Sequence, residues 1–135
     1  MNKQITIPFQ VTEWDAQNYD EMPDAPTLSR VTVKKTFDGE LKGESTAQLL
    51  MCSSEDGSAG YTVMERVVGE LEGRKGSFVM IHGGTHTPAE TNRALGFIMP
   101  NSGTAQLKGI TGTVEFISDE NGKNIILDFA FADEN

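Results

Sequence analysis

The feature that most constrains this chain is its punctuation. Short runs of alternating apolar and polar residues are broken at Asp38-Gly39, Asp56-Gly57, Glu72-Gly73 and Asn121-Gly122. Such pairs suit two-residue hairpin turns, because both central residues of a type I′ turn need positive φ. The alternation has period two, which sends every second side chain to one face of a strand. Strands are expected at 4–13, 28–37, 41–52, 60–70, 75–84, 92–99, 112–118 and 123–132. No window keeps a helical period, and only "TAQLKGI" suits a single helical turn. One connection is long: "DAQNYDEMPDAPT", Asp15 to Thr27, reads as a crossover loop over one barrel end, with a lid as the sharper alternative.

Eight strands with short connections predict a single antiparallel β-barrel over residues 1–135, one domain. Closure removes the unpaired edges of an open meander, and 14 glycines suit its bends and close strand approaches. A two-sheet β-sandwich is the alternative. Eleven basic against 20 acidic residues give a net charge of −9, which repels phosphate backbones and anionic lipids. No nucleic-acid or membrane partner is therefore expected, and no segment has the apolar length of a spanning helix. The start "MNKQITIPFQ" reads as a strand rather than a signal peptide, and Cys52 is the only cysteine, so a reducing, cytoplasmic setting is expected.

The stretch "MERVVGELEGRKGSFVMIHGG" places Glu65 and His82 among apolar residues on either side of Glu72-Gly73. A two-residue turn there pairs Leu71 with Arg74, Glu65 with Met80 and Val63 with His82, so Glu65 and His82 share a face diagonally. The same reasoning at Asp56-Gly57 pairs Gln48 with Glu65, Leu50 with Val63 and Cys52 with Tyr61. Gln48, Tyr61, Glu65 and His82 then form the expected ligand-binding set, with Leu50, Val63, Phe78 and Met80 around it. Burial is expected to raise the Glu65 pKa and lower that of His82, with mutual pairing opposing both. On this reading Cys52 is a small buried thiol, Trp14 plugs the barrel, Arg66 points outward and Arg74 faces solvent. His82, His86 and Glu90 lack the spacing of a metal site, so neither metal nor cofactor is expected.

The opposite face of that hairpin carries Met64, Val68, Val79 and Ile81. A strand apolar on both faces is usually buried on both, which predicts a homo-oligomer, a dimer by preference.

The segments "VTEWDAQNYDE", "LSRVTVKKTFDGELKGEST", "DGSAGYTVMERVVGELEGRKGSFVMIHGG", "MPNSGTAQLKGITGTVEF" and "LDFAF" cover nearly the whole chain. Together they resemble the bacterial Domain of Unknown Function family 3224, whose fold is similar to the allene-oxide-cyclase barrel. The resemblance implies a barrel and an oligomer and supplies no activity. "GTAQLKGITG" also resembles a glycine-rich turn of allene oxide cyclases and dirigent proteins, with Ala105 in place of the second glycine. Gln48 stands where the resemblance implies Glu in many members.

Three functions stay open from sequence. The first is a barrel that binds a small, partly apolar molecule in its interior; the second is an isomerase- or cyclase-type enzyme using Glu65 and His82 for acid–base chemistry. The third is a structural or protein-interaction module with a filled core. The interior around Glu65 and His82 separates them, because a small eight-stranded barrel can be hollow or solid.

Overall fold

The structure, a computed structural model, describes residues 2–89, 93–120 and 122–132. Eight antiparallel strands follow one another around a closed barrel: β1 (Lys3–Asp20), β2 (Thr27–Asp38), β3 (Leu41–Ser53), β4 (Ala59–Leu71), β5 (Arg74–His86), β6 (Arg93–Ile98), β7 (Ile110–Asp119) and β8 (Gly122–Phe131). Closure excludes the two-sheet sandwich. It is achieved by β1, whose first half (Lys3–Pro8) pairs with β8 and whose remainder (Phe9–Asp20) pairs with β2. The expected helical turn is a single 3-10 turn at Ala105–Leu107. Among the described residues no helix is long and apolar enough to cross a membrane.

Two expectations about the first strand are corrected. The segment from Asp15 is no crossover loop, since β1 continues to Asp20 and only residues 21–26 connect it to β2. Trp14 is no buried plug, being 55 % exposed at the rim. Its direction is set at Thr12: Val11 pairs with Lys35 and Glu13 with Lys34, so Thr12 is an extra residue that forms a bulge. One inserted residue reverses the alternation, and Trp14, paired with Val33, turns to the inner side.

The interior has two halves. Near the β2–β3 and β4–β5 turns it is packed solid by residues such as Ile7, Phe37, Leu71, Phe78, Ile110 and Leu127. Toward the β3–β4 and β7–β8 connections the buried cluster is smaller, Val31, Val33, Ala47, Leu49 and Val63, and space remains. The chain is thus neither the filled barrel nor the fully hollow one.

Candidate functional site

Between these halves lies a polar layer. The Glu72-Gly73 turn forms as expected, with both residues in the left-handed region, and it pairs Glu65 with Met80 and Val63 with His82. Both side chains point inward, Glu65 wholly buried and His82 nearly so. His82 Nε2 lies 2.8 Å from Glu65 Oε1. Gly96, opposite His82 on β6, is what lets that strand approach, because a Cβ there would stand 2.4 Å from His82 Cβ.

Gln48 is not part of the layer. The β3–β4 connection is a three-residue loop, Glu55-Asp56-Gly57, in which Gly57 N–H donates to Ser54 O and Ser54 N–H to Ser58 O. Gly57 takes the left-handed position of a bulged hairpin (φ 94°), and Asp56 accepts bonds from the Ser54 hydroxyl and the Ser58 N–H. The register moves by one residue, so Ala47 faces Glu65 while Gln48 pairs with Met64 and turns outward to accept a bond from Thr32. The same slip exposes Leu50 and sends Cys52 outward, half-buried beside Gly60 rather than inside with Tyr61. Tyr61 remains on the cavity wall and bonds to neither Glu65 nor His82; burial raises its pKa.

Two residues that were not anticipated complete the layer. Lys35 Nζ, on β2, donates to Glu65 Oε1 at 3.1 Å, and Ser45 Oγ, on β3, donates to Oε2 at 2.6 Å. The signal was present in the alternation: Lys35 interrupts the inward row Val31, Val33, Phe37, and Ser45 interrupts Leu41, Ala47, Leu49. The Lys35 ammonium also sits over the rings of Phe9 (5.0 Å) and Phe116 (4.6 Å), and Phe116 packs against the His82 imidazole at 4.3 Å.

Burial alone would push the Glu65 carboxyl up. The His82 hydrogen bond, the Lys35 charge and the Ser45 hydroxyl outweigh it, and the pKa falls from 4.5 to about 2, opposite to the rise expected from desolvation. With Glu65 ionised, His82 donates Nε2–H to it, which leaves Nδ1 buried without a partner.

Above this layer opens a cavity of about 340 Å³. Val33, Leu49, Val63 and Ala94 line it with the polar groups of Lys35 and His82, and Trp14 and Lys123 stand in its wall. Among the described residues, no group of three His, Cys, Asp or Glu side chains could hold a metal ion; Glu90 and the turn residue Asn121 lie outside them. Arg66 points outward as expected. Arg74 does not simply face solvent, since it is half-buried with its guanidinium 3.9 Å from the centre of the Phe131 ring.

Fold and site together define a small closed antiparallel barrel with a half-open interior and an ionic layer across its middle. The chain belongs to the family described as "Protein of unknown function (DUF3224)", which it matches over residues 5–131. It is similar to the crystal structure of a DUF3224-family protein of unknown function from Shewanella oneidensis MR-1. The two share 34 % identity and a TM-score of 0.84 over 97 % of this chain and 98 % of that one. No curated protein matches the chain.

Proposed function

We propose that this barrel binds a small, largely apolar molecule in the cavity above the Glu65 layer. The observation that carries this reading is a cavity of about 340 Å³ walled by aliphatic side chains over a few fixed polar groups, the usual composition of a ligand pocket. Lys35, Tyr61 and His82 supply the polar contacts. Glu65 acts through them, holding Lys35 and His82 in place rather than touching the ligand. An acid–base role is less well supported, because a carboxyl with a pKa of about 2 and three donors on its oxygens is far from the working range of a neutral-pH proton carrier.

Trp14, the only tryptophan, gives a built-in reporter at the cavity wall. Titration with the neutral apolar fluorophore N-phenyl-1-naphthylamine should quench Trp14 and raise the probe's emission. Ala94→Phe, which puts a ring into the cavity, should weaken binding by at least about tenfold, or 1.4 kcal/mol. Binding that survives Ala94→Phe in a folded variant would refute the location.

The same proposal includes self-association through the outer face of β3–β6. Leu50, Met64, Leu95 and Phe97 are 45–61 % exposed there, with Ile81 paired between Met64 and Phe97. A contiguous apolar surface of this kind suits a two-fold contact with a second copy. A lone cysteine fits the reducing cytoplasm as the setting.

A further inference from the structure

Resting on the cavity reading above, we propose that the molecule taken is an apolar anion: a carboxylate carried on a hydrocarbon or aromatic body. The chain holds 20 acidic residues against 11 basic ones. Among the described residues, the cavity wall nevertheless carries Lys35, Lys123 and His82 and no Asp or Glu. Glu65 sits behind that wall, with its oxygens turned to Lys35, Ser45 and His82. Glu65 balances the Lys35 charge from behind the wall, and the charged side chains that face the cavity itself are basic.

The donors at the floor are incompletely used. An ammonium has three N–H groups. Lys35 gives one to Glu65, and its other neighbours are the faces of Phe9 and Phe116, which attract a cation without offering a strong acceptor. His82 has already given Nε2–H to Glu65, and the Nδ1 of a neutral ring is an acceptor, so the free donors at the floor are those of Lys35. Lys123, paired with Ser118 in the β7–β8 ladder, adds a second positive charge where the cavity meets solvent. A carboxylate entering this space finds a charged donor at the floor and another at the mouth, while its body rests on Val33, Leu49 and Val63. An alkylammonium of the same length would meet like charge at both ends.

Competition against bound N-phenyl-1-naphthylamine with octanoate, 1-octanol and octylamine separates this inference from the one beneath it. Octanoate should displace the probe at a concentration at least about tenfold lower than 1-octanol, the worth of a charge-assisted hydrogen bond, and octylamine should be the weakest. In a merely apolar cavity 1-octanol leads, because burying an unmatched charge of either sign is costly. Lys123→Gln, at an exposed position, should cut octanoate affinity about threefold, as removal of a solvent-screened charge does, and leave 1-octanol unchanged. Probe binding with 1-octanol or octylamine ahead of octanoate, or with an unchanged preference in Lys123→Gln, would overturn the anion assignment while leaving the cavity reading intact. Failure of the probe itself to bind would remove the cavity reading, and this inference with it.

Discussion

Replacing Glu65 by Gln keeps the shape of the side chain and removes the one charge that organises the polar layer. The magnitude follows from the pKa. Glu65 moves from 4.5 to about 2 on folding, and each pKa unit is worth 1.36 kcal/mol, so its ionised form contributes about 3 kcal/mol. Loss of one member of a buried ion pair gives a similar figure, about 3–5 kcal/mol, since Lys35 keeps its charge without a partner. Because the folded pKa lies below the unfolded one, this contribution is complete above about pH 4.5. It is lost as the pH falls through about 2, and less than half of it remains at pH 3. Urea unfolding at pH 7 should therefore show Glu65→Gln less stable by about 3 kcal/mol. The gap between the two proteins should narrow on acidification, because a protonated Glu resembles Gln. A difference below about 1 kcal/mol at pH 7, or one that does not change between pH 7 and pH 3, would refute this account of the layer.

The other expectations test placement. Ala105 adopts a left-handed φ of 52°, so Ala105→Gly should raise stability by about 0.5–1 kcal/mol in thermal unfolding, the relief of strain less the added freedom of the unfolded chain. Gln48→Glu should change stability by less than about 0.5 kcal/mol and leave probe binding untouched, because position 48 faces outward; a loss of binding would return it to the site. Native protein should label at Cys52 with a maleimide, more slowly than unfolded chain, and complete protection would contradict the outward placement. Sedimentation at micromolar concentration should show a dimer that Phe97→Glu dissociates, and a monomeric parent protein would contradict the proposed contact.

Most of the barrel was legible because turn chemistry and alternation act locally. Leu71-Glu72-Gly73-Arg74 specifies its own register, and Glu65 and His82 followed from counting outward. The other turn carries a similar signal with two solutions. Asp56-Gly57 serves a two-residue turn and a three-residue bulged loop equally well, and the side chain of Asp56, bonded to Ser54 and Ser58, selects the second. That single-residue difference moved Gln48, Leu50 and Cys52 to the outside. The bulge at Thr12, which turns Trp14 inward, leaves no mark in composition at all. Lys35 and Ser45 were visible as polar breaks in inward rows, but their meaning depends on Glu65 lying across from them on another strand. The sign of the Glu65 shift depends on the same partners, because burial and pairing pull in opposite directions and only the bonded geometry decides between them.

The proposed ligand site is the hollow half of the barrel, whereas an apolar probe that merely adheres to the surface settles on the exposed face around Met64 and Phe97. Nuclear Overhauser contacts between bound N-phenyl-1-naphthylamine and methyl-labelled protein distinguish the two directly. Binding in the cavity gives contacts to the methyl groups of Val33, Leu49, Val63 and Ala94. Contacts confined to Leu50, Met64, Ile81 and Leu95 on the outer face would contradict it.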